Sequence, residues 1–115
     1  MVVSMSKPLE IEPREAQTQL QGGQKAVLVD VREPEEFALA RLEGAQLIPM
    51  QSIPSELQTL EAIADDSDLL LLCHHGVRSL QVAAWLRGRG IENCFSVAGG
   101  IDRWSREVDA AIPRY

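Results

Sequence analysis

The chain is poor in cysteine, in histidine and in long apolar runs. Two cysteines and two histidines in 115 residues provide neither a disulfide framework nor the clustered ligand spacing of a structural zinc site. Its longest apolar stretches, such as residues 69–73, fall well below the ~18 to 20 residues of a membrane span. Basic residues are outnumbered, 11 against 17 acidic, and a formal charge of -6 is a poor basis for gripping a phosphate backbone. Nucleic acid and membrane are therefore set aside as partners. No repeat, low-complexity tract or charge block marks a linker. Residues 1–5 are mildly apolar but lack the basic leader of a secretion signal before Lys7 and Pro8 interrupt them. A cytoplasmic location is the expectation, and with it free thiols at Cys73 and Cys94.

What is present suits one domain, since 45% apolar and 24% charged residues over this length can build a single core. The expected division is a flexible start at 1–8, the domain at 9–110 and a tail at 111–115. Short Val-, Leu- and Ile-rich runs alternate with segments of helical spacing. That pattern predicts an α/β domain with a mostly parallel central sheet and helices on both faces. Strands are expected at 26–31, 46–48, 69–72 and 94–97, with an edge strand at 9–11. Residues 26–29 and 69–72 are apolar on both alternating faces, as central strands require. Pro13 opens a helix with Ala16 and Leu20 on one face, and Gly22 and Gly23 close it. Ser52 is the expected N-cap of a second, with Pro54 in its first turn and Leu57, Leu60 and Ala64 along its buried side. A third, after Arg78, is expected to bury Val82, Trp85 and Leu86 and to break at Gly88 and Gly90. The last carries Ile101, Trp104 and Val108.

The chemistry concentrates in Leu69-Leu70-Leu71-Leu72-Cys73-His74-His75-Gly76-Val77-Arg78-Ser79, which reads as buried strand, short loop and helix start. Ligands of open α/β sheets bind just beyond the carboxyl ends of strands. Inward N–H groups of such a loop, together with the helix amino terminus, favour an anion. They also favour the thiolate, the nucleophilic form of cysteine, so Cys73 is the candidate nucleophile. Gly76 supplies the freedom a tight loop needs. Arg78, forked and permanently charged, is expected to hold an oxyanion beside the sulfur. For His74 and His75 three roles stay open: tuning the thiol, meeting substrate, or facing solvent. Cys94 lies beside Phe95 with no Gly or Arg around it and reads as a packing residue. Asp30 and Arg32 are expected to pair with backbone or with each other. Glu33, Glu35 and Glu36 read as a solvated helix start without chemistry.

Cys73-His74-His75-Gly76-Val77-Arg78-Ser79 resembles the active-site loop of the rhodanese family of sulfurtransferases, in which six residues run from Cys to Arg and the backbone cradles a persulfide. Asp30-Val31-Arg32 with Glu35-Glu36-Phe37, continued by Glu43-Gly44-Ala45 and Ile48-Pro49, is similar to that family's first signature. Gly99-Gly100-Ile101 and Trp104 are similar to its carboxy-terminal motif. The likeness spans residues 9–104 with the motifs in family order. One departure is Ala40-Arg41-Leu42, where many members carry Gly-His-Ile; it is expected to alter a turn and a surface contact, leaving the loop intact.

The resemblance implies that Cys73 takes a sulfane sulfur from thiosulfate or another persulfide donor and passes it to cyanide or a thiol, by covalent double displacement without metal or organic cofactor. It also implies that His74, His75, Gly76, Val77, Arg78 and Ser79 form the loop that binds the substrate anion and stabilises the departing sulfite. Expected partners are the small donor and acceptor and a sulfur-donating or sulfur-accepting protein, with the chain itself a monomer. Two other readings remain. One is a cysteine-dependent phosphatase or arsenate reductase, whose loop has one residue more between Cys and Arg than the four found in this chain. The other is a non-catalytic or sulfur-carrier docking module on the same fold.

Overall fold

The computed structural model describes residues 8–23 and 25–115, so the flexible start expected at 1–8 lies almost wholly outside the described residues. Five parallel strands form one sheet in the order β1-β5-β4-β2-β3. The strands are β1 (Glu10–Ile11), β2 (Ala26–Asp30), β3 (Gln46–Leu47), β4 (Asp68–Leu72) and β5 (Cys94–Val97). Between them run α1 (Pro13–Gln21), α2 (Pro34–Leu39), α3 (Leu57–Ala64), α4 (Val77–Gly88) and α5 (Gly100–Glu107). Among the described residues no helix is long and apolar enough to cross a membrane.

The run of four leucines in β4 explains the layering. Side chains alternate across a strand, so Leu69 and Leu71 face a core shared with Leu60, Val82, Ala83 and Leu86 of α3 and α4. Leu70 and Leu72 face the other core, with Ala16 of α1 and Ile101 and Trp104 of α5. All four leucines have no exposed surface, so β4 is central and its carboxyl end opens between helices from both layers. The expected α/β class holds, with strand ends shifted by a residue: β2 stops at Asp30, and Val31 still donates its N–H to Leu72 O at 2.9 Å.

Two helix expectations need correction. Ser52 is not an N-cap: it ends a short 3-10 turn (Met50–Ser52), and Pro54 opens a second (Pro54–Glu56) before α3 begins at Leu57. Trp85 is not core either, being 36% exposed. Val82 and Leu86 mark the sheet-facing line of α4, and Trp85 lies one residue, about 100°, off that line. Its ring lies under the Arg89 guanidinium, 4.8 Å from Cζ to centroid, and with Met50, Ile53, Pro54, Gln81 and Val82 it lines an apolar cleft of about 290 Å³.

At the end of β2 sits a fully buried ion pair. Arg32 Nε and Nη2 donate to Asp30 Oδ1 and Oδ2 at 2.9 and 2.7 Å, and neither side chain has exposed surface. The pairing expected of Asp30 and Arg32 is the one found. Arg32 also donates to Ala40 O at 2.6 Å and to Glu36 O at 3.3 Å, holding the carboxyl end of α2 against the sheet. The Ala40-Arg41-Leu42 departure fits this arrangement: Ala40 and Leu42 are buried, and Arg41 lies over the Phe37 ring at 4.8 Å. Removing one partner of a buried pair leaves an uncompensated charge, which costs about 3 to 5 kcal/mol. Asp30→Ala is expected to lose that much in urea denaturation; a loss below about 1 kcal/mol would show that Arg32 is satisfied without its carboxylate.

Candidate functional site

The loop leaving β4 turns into α4 within a few residues because Gly76 takes a left-handed conformation, φ 101°, that a side chain would strain. Cys73 is thereby placed at the strand end with its side chain under the first turn of α4, only 1% exposed. Its sulfur receives the Gly76 N–H at 3.1 Å and the Ser79 N–H at 3.3 Å, and lies 3.2 Å from Ser79 Oγ. Ser79 Oγ in turn lies 2.7 Å from Ser96 Oγ, a second buried hydroxyl on β5. These donors converge on one atom and stabilise negative charge there. Cys94 behaves as the packing residue expected: it has no exposed surface and its thiol points to Ala83 O and Ile91 O at 3.5 and 3.3 Å. Burial raises its pKa. Both cysteines are free.

A second loop closes the site from the other layer. Ile101 N donates to Cys73 O at 2.8 Å and Asp102 N to His74 O at 3.1 Å, so the start of α5 holds the backbone of the cysteine loop. Gly100 makes this approach possible: it has φ 63°, and a Cβ there would lie 2.4 Å from His74 O and 2.5 Å from Cys73 O.

Of the remaining loop residues, Val77 is 65% exposed. His75 is exposed, and the His74 ring is sandwiched, with His75 at 3.9 Å on one side and Tyr115 at 3.9 Å on the other. Burial and the neighbouring His75 lower the His74 pKa, favouring the neutral ring. His74, His75 and Asp102 offer ligand atoms within 4.8 Å of one another, a clustering invisible in the sequence. The Asp102 carboxylate accepts from Arg106 and Arg114 at 3.3 and 2.9 Å.

Arg78, expected to hold an oxyanion beside the sulfur, is paired with Glu36: Nη1 donates to Oε2 at 2.7 Å and Nη2 to Oε1 at 2.9 Å. Glu36 is accordingly no solvated helix acid: the Arg78 guanidinium holds its carboxyl down to about 2, with the Glu33 backbone and Tyr115 adding to the effect against the cost of burial. Ser96, Glu36 and Tyr115 are the site neighbours that sequence reasoning missed. A polar residue inside the apolar run Cys94-Phe95-Ser96-Val97 was a signal for Ser96; nothing in the sequence marks Tyr115.

These features define a class: a parallel α/β domain in which a buried thiol, at the end of a central strand, is cradled by backbone N–H groups at the head of a helix. The chain belongs to the rhodanese-like domain family, which matches residues 12–107. Thiosulfate sulfurtransferase GlpE of Haemophilus influenzae strain PittEE is 41% identical over 97 residues, 84% of this chain and 88% of that protein. The chloroplastic rhodanese-like/PpiC domain-containing protein 12 of Arabidopsis thaliana is 36% identical over 92 residues; these cover 79% of this chain but 31% of the plant protein. The chain thus spans under a third of that relative's length. In structure it is similar to the human single-domain sulfurtransferase TSTD1, with TM-score 0.76, 28% identity, and coverage of 88% and 98% of the two chains.

Two outcomes follow from this geometry. Gly100→Ala should lose at least about 2 kcal/mol through clash and backbone strain, read by urea denaturation; an unchanged midpoint would mean the two loops do not need this contact. The stability that Glu36 gains from Arg78 should be full above its ordinary pKa of 4.5 and vanish as pH falls through about 2. The melting-temperature gap between wild type and Glu36→Gln should therefore be constant from pH 7 to 5 and close below it, and a gap insensitive to acid would contradict the ion pair.

Proposed function

We propose that this chain is a sulfurtransferase in which Cys73 carries the sulfur as a persulfide. The observation that carries the reading is the convergence of the Gly76 N–H, the Ser79 N–H and Ser79 Oγ on the buried Cys73 sulfur. Family membership and the sulfurtransferase names of similar proteins support it. In the first half-reaction the Cys73 thiolate attacks the sulfane sulfur of thiosulfate or of another persulfide donor. The donor S–S bond breaks, sulfite or a thiolate leaves with the bonding electrons, and a new S–S bond forms on Cys73. In the second, cyanide or a thiol attacks the outer sulfur, and the Cys73 thiolate departs to complete the cycle.

The same donors serve both steps. Negative charge develops on Cys73 as it is released, and the N–H groups that point at its sulfur are already in place, so no reorganisation is needed. Protein partners that donate or accept sulfur fit this chemistry, because the exposed His75 and Val77 leave the loop open to a macromolecule. The test is an intact mass before and after incubation with thiosulfate or glutathione persulfide, repeated with reductant and with Cys73→Ser. A gain of one sulfur atom that reductant reverses and Cys73→Ser abolishes is the expected result. No adduct from either donor would overturn the reading in favour of a binding module.

A further inference from the structure

Arg78 is the cation that the loop would offer to an anionic donor, and Glu36 occupies both arms of its fork. Glu36 is itself held from two further sides. The Glu33 N–H donates to Oε2 at 3.1 Å, and the Tyr115 hydroxyl donates to Oε1 at 2.9 Å while accepting from Arg32 Nη1 at 2.7 Å. Its two oxygens thus receive four donors, one of which is anchored on the fully buried Arg32. The Tyr115 ring also stacks on His74 at 3.9 Å, which ties this clamp to the residue following the nucleophile. Tyr115 lies beyond the residues matched by the family, which end at 107.

A dianion such as thiosulfate needs a cation for its oxygens, and its sulfite leaving group keeps the whole charge. Here the carboxylate offsets the guanidinium charge and holds two of its five donors, so thiosulfate meets a weakened cation with a carboxylate beside it. A persulfide borne on a thiol, R–S–SH, makes no such demand. The Cys73 thiolate attacks its outer sulfur, the S–S bond breaks, R–S⁻ leaves with the electron pair and takes a proton from solvent, and Cys73–S–SH remains.

We infer that Glu36, clamped by Tyr115, is a specificity-determining residue that closes Arg78 to small free anions, so that the site takes sulfur from thiol-borne persulfides in preference to thiosulfate. The inference rests on the sulfurtransferase reading for its donor class, but the closure itself is testable without turnover. Iodoacetate and iodoacetamide alkylate the same sulfur and differ in charge, and peptide mass spectrometry separates Cys73 adducts from Cys94 adducts. Glu36→Gln is expected to raise the iodoacetate-to-iodoacetamide rate ratio at Cys73 about tenfold. Tyr115→Phe keeps the ring stack and removes only the hydroxyl; it should raise the ratio about threefold, which keeps the inference testable if Glu36→Gln folds poorly.

With substrates, kcat/KM for thiosulfate relative to glutathione persulfide should rise in both variants, through a lower KM for thiosulfate. An alkylation ratio unchanged in both variants, or a wild type that prefers thiosulfate, would overturn the inference. A wild type that takes sulfur from neither donor overturns the sulfurtransferase reading instead, and the alkylation ratio then decides alone whether Glu36 excludes anions.

Discussion

A guanidinium with no exposed surface sets the geometry at the carboxyl ends of the strands. Burying Arg32 is tolerable only because its donors are allocated: Asp30 takes Nε and Nη2, Ala40 O shares Nη2, and Glu36 O and the Tyr115 hydroxyl take Nη1. Each of these partners is fixed in turn. Asp30 closes β2 directly beside Leu72, the last residue of β4 before the thiol. The two carbonyls lie at the end of α2, so the helix that carries Glu36 is held where its carboxylate meets Arg78. A buried charge therefore positions the group that neutralises a half-buried one.

The sulfur depends on a different device. Its donors are mainly backbone, set by a glycine that turns the chain at Gly76 and by a second loop that approaches within a carbonyl's reach at Gly100. The N–H groups of α5 hold the carbonyls of Cys73 and His74, leaving the N–H groups of the cysteine loop free to point the other way, at the sulfur. The two loops divide the polarity of one stretch of backbone between them, which is why neither glycine has room for a methyl group without cost.

The sheet was legible because β2 and β4 are apolar on both faces, a pattern that only strands covered on both sides tolerate. The cysteine loop was legible because strand, glycine and helix start follow each other within a few residues. What the sequence did not reveal depends on distance or on rotation. Trp85 carries the right residue type at the wrong angle on α4. Arg78 and Glu36 are separated by 42 positions, and a charge in a sequence does not say which opposite charge it will meet. Tyr115 belongs to no period and no motif, and its role arises only because the tail folds back across Arg32 and His74.

The division between backbone and side chains has a chemical consequence. Dipoles aimed at one atom act strongly there and fade quickly with distance, whereas ionic charges reach the rest of a bound molecule. On the proposed reading, the N–H groups around Cys73 stabilise the reacting sulfur whatever carries it, and they neither titrate nor swing away. The ionic groups stand farther out, at the rim formed by Arg78, Glu36 and Tyr115, and they act on the carrier. Because Arg78 and Glu36 offset each other, the rim contributes little attraction to a free anion, and on the proposed reading selectivity rests on what else the carrier brings into contact with the site.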